Sequence, residues 1–235
     1  MSITLFWGVP GSGKSFHTSQ IIYNALRKGQ NVITNVNINT SLIPPISDSR
    51  PLGNFIFVPP RQFDENAISI KNSLGGKSAC DSVYSYIFGL QNFALQFHKR
   101  NNRGQITESQ TLLIIDECHH YFDPRSWNRK DRSAWVDFFS VHRHYGFDVL
   151  LISQKDSRID KQIRGLIEKQ VMHRNVSKYK RLGKLLASPF GGNLFICIES
   201  MYDSRMSKKD AHIKSYFIYG SNYYFSLYDS YSLIL

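Results

Sequence analysis

The sequence predicts an α/β fold: a mainly parallel sheet flanked by helices, with a small antiparallel β extension near the C-terminus. Three observations predict it. The strand pattern Ile3–Trp7 runs into a glycine loop, a helical pattern and a second strand pattern, which is the order of a βαβ unit. Gln110–Ile115 and Asp148–Ser153 are almost continuously apolar, as parallel strands covered on both faces are. Beyond residue 170 the texture shifts to β-prone runs separated by glycines and polar residues.

The elements follow in order. Ile3–Trp7 is a first strand. Lys14–Lys28 carries Ile21, Ile22, Ala25 and Leu26 at helical spacing, and Gly29 caps it. Asn31–Val36 is a second strand. Asn37–Leu52, with Pro44, Pro45 and Pro51, is a loop. Phe55–Val58 is a short strand stopped by Pro59-Pro60, and Gly75-Gly76 marks a break. Asp81–Arg100 repeats Val83, Tyr86, Ile87, Leu90, Phe93, Ala94 and Phe97 with helical period. Lys99–Gly104 is a basic loop, Ser133–Arg143 a helix and Asp160–Gln170 a short helix. Gln170–Lys178, Leu194–Glu199 and His212–Tyr219 are the strands of the extension. The tail after Gly220, rich in Tyr and Ser, shows no assignable pattern. Residues 1–170 are expected as the core and 171–235 as a β-rich extension of the same domain, which suits a chain of 235 residues.

Composition narrows the classes. With 29 Lys+Arg against 18 Asp+Glu the formal charge is +11, which suits nucleic acid, nucleotide phosphates or an anionic membrane face. A basic protein kept soluble by charge is the plainer alternative. Cys80, Cys118 and Cys197 are odd in number and lack C-x-x-C spacing, so a reduced setting is expected rather than a disulfide framework. No secretory signal stands at the N-terminus, and no apolar run approaches the ~20 residues of a membrane helix. The expectation is a soluble chain that does not itself span a membrane.

Gly8-Val9-Pro10-Gly11-Ser12-Gly13-Lys14-Ser15 has the spacing G-x-x-x-x-G-K-[ST]. Glycines let successive backbone N–H groups turn inward on a phosphate, and the helix that starts there adds its positive end. Lys14 is expected on the β- and γ-phosphates of ATP, and the Ser15 hydroxyl on Mg²⁺. Gly8, Val9, Pro10, Gly11, Ser12 and Gly13, with Lys14, Ser15 and Phe16, are the expected nucleotide contacts. Such a loop needs a carboxylate partner for Mg²⁺. Leu112-Leu113-Ile114-Ile115-Asp116-Glu117 places Asp116 and Glu117 at the C-terminal end of a buried strand, where sheet ligands bind. Asp116 is the expected Mg²⁺ partner, and Glu117 the residue that polarises the attacking water. Gln154, at the tip of Val149–Ser153, is a candidate sensor of the γ-phosphate. Arg143, Arg158 and Arg164 are candidate arginine fingers for a neighbouring subunit. His119-His120, His142, His144 and Cys118 lack zinc-ligand spacing, so structural or coupling roles are expected for them. The run Lys178-Tyr179-Lys180-Arg181, with Lys184, could touch nucleic acid or lipid headgroups, or be a solvated turn.

These residues together resemble a known family. The glycine loop with Pro10, Thr34-Asn35-Val36, Ile114-Ile115-Asp116-Glu117, His142-Arg143-His144-Tyr145-Gly146-Phe147-Asp148, Gln154 and Ile159-Asp160-x-x-Ile163-Arg164 are similar to the N-terminal ATPase domain of the zonula occludens toxin (Zot) family. That family includes the gene I assembly proteins of filamentous bacteriophages. The resemblance runs in order from Met1 to about Arg174. It implies a P-loop NTPase of the FtsK/HerA branch acting at the cytoplasmic face of the host inner membrane, in a ring-shaped homo-oligomer of which a hexamer is one form. It also implies ATP hydrolysis that drives assembly and export of virions, with coat or other assembly proteins as partners and single-stranded DNA as a further one. The family continues into a membrane helix and a periplasmic part, so membrane association would run through a segment absent from this chain. Two alternatives stand beside the export motor: a DNA-packaging or translocating ATPase of the same branch, and a nucleotide-gated interaction module with negligible turnover.

Overall fold

The computed structural model describes residues 2–58, 80–126, 132–203, 205–220 and 222–228. Among them are strands β1 (Ile3–Trp7), β2 (Asn31–Thr34), β3 (Phe55–Phe57), β4 (Thr111–Ile115), β5 (Phe147–Ser153), β6 (Lys169–Asn175), β7 (Leu194–Met201) and β8 (His212–Tyr219). The helices are α1 (Lys14–Arg27), α2 (Cys80–Phe97), α3 (Arg132–Val141), α4 (Lys161–Arg164), α5 (Lys180–Ala187), α6 (Lys208–Ala211) and α7 (Asn222–Leu227).

All strands join one sheet in the order β3-β2-β4-β5-β1-β6-β7-β8. From β3 to β6 every pairing is parallel, and β7 and β8 complete the sheet antiparallel. The expected fold class is therefore observed, with one correction: β6, expected in the antiparallel extension, pairs parallel with β1, so the extension consists of β7 and β8.

Period-two alternation divides the central strands between two cores. Leu113, Ile115, Val149 and Leu151 face a core closed by Leu90 and Ala94 of α2 and Trp135, Phe138 and Phe139 of α3. Leu112, Ile114, Leu150 and Ile152 face the other, closed by Ile22, Ala25 and Leu26 of α1. Burial on both faces explains why β4 reads as a continuous apolar run.

Several boundaries differ from those expected, each for a local reason. β2 stops at Thr34 because the Thr34 Oγ1 accepts the Val36 N–H at 3.0 Å and turns the chain. α2 ends at Phe97, short of Arg100, where His98 turns inward to pair with Tyr145 O and Thr111 Oγ1, each at 2.6 Å. Phe97, expected in the apolar stripe, is exposed. α3 ends at Val141 and continues as a 3-10 turn, His142–Tyr145. α4 is a single turn, and the chain is extended again by Glu168, whose N–H donates to Ile3 O at 3.0 Å. β6 ends at Asn175, whose side chain accepts the Ser177 N–H at 2.9 Å and starts a 3-10 turn. The patternless tail contains α7, which lies on α1: Phe225 meets Phe16 with ring centroids 4.7 Å apart. The expected stop at Pro59-Pro60 and break at Gly75-Gly76 lie outside the described residues.

Helix α5 is inverted relative to ordinary packing. Gly183 and Ala187 face the protein, while Leu182, Leu185 and Leu186 are 69%, 70% and 56% exposed beside exposed Arg181 and Lys184.

Candidate functional site

β1 delivers the chain to the C-terminal edge of the parallel strands, where it wraps before entering α1. Gly8, Gly11 and Gly13 hold φ of 152°, 69° and 96°, a region that L side chains rarely adopt. At two of them space is also decisive. A Cβ on Gly8 would stand 2.6 Å from His173 O, and one on Gly13 would stand 2.6 Å from the Phe195 ring. Strands β6 and β7 thus press on the loop from one side. Lys178 Nζ donates to Pro10 O at 3.0 Å and Asn175 Nδ2 to Gly11 O at 3.3 Å, which tethers the outer part of the loop.

Inside the loop, Lys14 Nζ donates to Gly8 O at 2.8 Å and approaches Val9 O at 3.4 Å. Burial lowers its pKa, and the carboxylates of Glu117 and Asp116 oppose that shift, which sets all three in one electrostatic neighbourhood. Ser12 Oγ is buried with no hydrogen-bond partner. A folded-back ammonium, an orphan hydroxyl and glycines that admit no Cβ fit a bound phosphate group.

The acidic pair leaves β4 in an unusual conformation. Glu117 has φ 47°, ψ 40°, a left-handed geometry uncommon for a residue with a side chain. Asn35, just past β2, holds the preceding residue: its Oδ1 accepts the Asp116 N–H at 2.7 Å and its Nδ2 donates to Asp116 O at 2.9 Å. The Asp116 carboxylate accepts the Glu117 N–H at 2.8 Å. Burial pushes the Asp116 pKa up to about 6; the Glu117 N–H and Lys14 work against that rise. Ser15 opens α1 half-buried. A hydroxyl and a carboxylate of this kind are oxygen donors that suit Mg²⁺.

Glu117 is flanked on both oxygens. Gln154 Nε2 lies 3.5 Å from Oε1, a long contact. His119 Nδ1 lies 3.1 Å from Oε2, close enough to pair although the angle does not form a hydrogen bond. Burial lowers the His119 pKa, with Glu117 acting in the opposite sense.

The structure therefore gathers Gly8–Ser15, Asp116, Glu117 and Gln154 at one edge of the sheet. Phe16 differs: its ring is buried against Phe195 and Phe225, so it supports the loop from below. Arg158 is exposed in the turn after Gln154, and its charge acts on His119. Arg164 closes α4. Arg143 is not brought to the site: it precedes β5 at the opposite edge and pairs with Glu168. Sequence reasoning missed Asn35, His119, Asn175 and Phe195 as parts of the site. Asn35 and His119 had a signal, lying beside the end of β2 and the acidic pair.

A glycine loop between β1 and α1, with acids ending β4, makes this a P-loop NTPase fold. Residues 77–183 match the family described as Zonular occludens toxin (Zot), in line with the resemblance in sequence. The chain is 24% identical over 213 residues to the Gene 1 protein of Enterobacteria phage M13, covering 91% of this chain and 51% of that protein. It is 27% identical over 192 residues to the Gene 1 protein of Enterobacteria phage I2-2, covering 82% and 44%. The chain thus spans about half the length of these relatives. In fold it is similar to the N-terminal domain of zonular occludens toxin from Neisseria meningitidis, with a TM-score of 0.52, 17% identity and 97% and 98% of the two chains covered. It is also similar in fold to B204, the DNA-packaging ATPase from Sulfolobus Turreted Icosahedral Virus, with a TM-score of 0.50, 17% identity and coverage of 87% and 94%.

Proposed function

We propose that this chain is an ATP-hydrolysing motor subunit for assembly and export of filamentous phage virions, working in a ring-shaped homo-oligomer at the cytoplasmic face of the host inner membrane. The observation that carries the hydrolytic part is the convergence of Lys14, Asp116, Glu117 and Gln154 on one sheet edge. The virion-export part is supported by the similarity to phage Gene 1 proteins.

In this reading the loop amides and Lys14 bind the β- and γ-phosphates of ATP. Ser15 and Asp116 hold Mg²⁺, which supplies charge neutralisation on those phosphates. Glu117, flanked by Gln154 and His119, orients the attacking water and accepts its proton. Asn35 keeps the acidic pair aimed. The finger comes from a neighbouring subunit, with Arg143, Arg158 and Arg164 as the candidates. No helix among the described residues is long and apolar enough to cross a membrane. The outward leucines of α5, flanked by Arg181 and Lys184, support a contact with an anionic lipid face or an assembly partner.

The test is ATPase rate against protein concentration for the wild type, Lys14→Ala and Glu117→Gln. A steep rise with concentration is expected for the wild type. Lys14→Ala should lose nucleotide binding and turnover. Glu117→Gln should bind ATP but turn over at least about 100-fold more slowly. Turnover that survives Lys14→Ala would overturn the assignment. The packaging reading, favoured by the +11 charge, would show as turnover stimulated by DNA.

A further inference from the structure

Beneath the phosphate loop lies a cluster that the proposed chemistry does not use. His17 of α1, His173 of β6 and Cys197 of β7 are buried, and one ligand atom from each lies within 4.8 Å of the other two. We propose that His17 Nδ1, His173 Nε2 and Cys197 Sγ form a site for a thiophilic d¹⁰ metal ion, Zn²⁺ or Cu⁺, that staples the phosphate-loop helix to the C-terminal antiparallel strands.

The donor set is the first argument. Two imidazoles and a thiolate are the ligands such ions prefer. The second is spacing. His17 Nδ1 and His173 Nε2 stand 2.8 Å apart, and Cys197 Sγ stands 3.8 Å from His17 Nδ1. Tetrahedral coordination at ordinary zinc bond lengths separates two nitrogens by about 3.3 Å and nitrogen from sulfur by about 3.6 Å. The set needs an opening of about half an ångström between the rings, the sulfur already stands at about the coordinating distance from His17 Nδ1, and it lies within 4.8 Å of the His173 ligand atom. The third is orientation. Val171 O lies 3.1 Å from His173 Nδ1 and can only accept, so Nδ1 carries the proton and the Nε2 lone pair points into the cluster. A backbone carbonyl that fixes the ring in this way is the usual outer partner of a metal-bound histidine. Phe6 packs on both imidazoles, with centroids 4.7 and 4.6 Å away, and fixes their planes.

The exchange balances. Without metal, His17 Nδ1–H donates to His173 Nε2. On binding, that hydrogen bond breaks and the His17 proton moves to its Nε2. The Cys197 thiol loses its proton to solvent, and two metal–nitrogen bonds and one metal–sulfur bond form. One proton is released per ion. A thiolate neutralises Cu⁺ outright; with Zn²⁺ a water fills the fourth position.

The location gives the site a consequence. His17 lies one turn beyond Lys14, and Cys197 lies on the strand whose Phe195 presses on Gly13. A bound ion would couple the hairpin to the nucleotide loop.

The experiment uses the full chain, stripped by chelator and titrated separately with Zn²⁺ and with Cu⁺ under reducing conditions. Expected are one ion per chain, about one proton released per ion, and protection of Cys197 from alkylation, read by mass spectrometry at denaturant concentrations that open the metal-free chain, since the thiol is already buried in the folded state. Cys197→Ser and His173→Gln should each weaken binding by more than about 100-fold, while Cys118→Ala retains it. Protection of Cys197 in the wild type needs no variant, so it stands even where a variant fails to fold. Absence of protection by either ion, or binding unchanged in folded Cys197→Ser, would overturn the proposal.

Discussion

Asn35 offers the sharpest test of how the acidic pair is held. Its amide closes two hydrogen bonds on one peptide unit, to Asp116 N–H at 2.7 Å and Asp116 O at 2.9 Å, and it is itself only 4% exposed. Asn35→Ala removes both bonds and leaves a donor and an acceptor that water reaches only in part. At about 1 kcal/mol net per bond, with a further share for the stranded groups, the loss is about 2–3 kcal/mol. For a chain of this size that lowers Tm by roughly 4–12 °C. The larger effect should fall on chemistry. Glu117 sits in a left-handed conformation that its neighbours must enforce, and release of Asp116 lets it relax. A misplacement near 1 Å costs up to about 100-fold in rate, so kcat should fall by at least about 10-fold. Nucleotide affinity should change little, since the loop and Lys14 are held by other contacts. Asn35→Asp should not rescue: it still accepts the N–H but sets a carboxylate oxygen against Asp116 O. Scanning calorimetry, nucleotide titration and steady-state ATPase assays decide the matter. Unchanged Tm and kcat in Asn35→Ala would refute the clamp. A loss of nucleotide binding equal to the loss of kcat would show that Asn35 acts on the loop instead.

Two further outcomes are expected. Burial brings the His17 pKa down to about 4; burial and the adjacent His17 bring His173 down to about 3. The unfolded values lie near 6.5, so between about pH 6.5 and 3 the unfolded chain binds more protons. The stability these residues contribute is complete above about pH 6.5 and is lost as pH falls toward 3, by several kcal/mol in order of magnitude. Denaturation midpoints measured in chelator from pH 7.5 to 4 should fall steeply for the wild type and less for His173→Gln; parallel curves would contradict the assignment. The second outcome concerns Gly13→Ala, which adds left-handed strain of about 1–2 kcal/mol and a clash with Phe195 of about 1–3 kcal/mol. Phe195→Ala relieves the clash but not the strain, so the double variant should be more stable than the sum of the singles by about 0.5–3 kcal/mol. Strict additivity in denaturation would show that the two residues do not press on each other.

The parallel strands were legible because their signal is local. β4 is apolar from Leu112 to Ile115 since both its faces are covered, and four residues suffice to show it. The same logic explains what was not legible. α7 is held by Phe16 and Tyr23 of α1, rings about 200 positions away in the chain, so its own Tyr-Phe-Ser composition carries no period. α5 is a helix where the sequence allowed a solvated turn, and it differs in the opposite direction. Its leucines form an apolar stripe, yet the fold buries Gly183 and Ala187 and turns the stripe outward. An amphipathic pattern reports that one face seeks cover, not that this chain supplies it.

The site divides along the same line. The glycine loop and the acidic pair are legible because phosphate and metal chemistry dictates residues at fixed short spacing. The residues that aim them are not, because they come from afar: Asn35 reaches Asp116 across 81 positions, and His173 reaches His17 across 156. This bears on the glycines themselves. Gly8 and Gly13 are commonly explained by the phosphate they admit, and their φ angles agree with that. Here each is also compelled by protein on the other side, Gly8 by His173 O and Gly13 by the Phe195 ring. A loop pressed by β6 and β7 is expected to shift those strands when it changes shape. Under the proposed function this contact would place the antiparallel extension mechanically in series with the nucleotide site, and a motor that transmits the state of its phosphate site requires a contact of that kind.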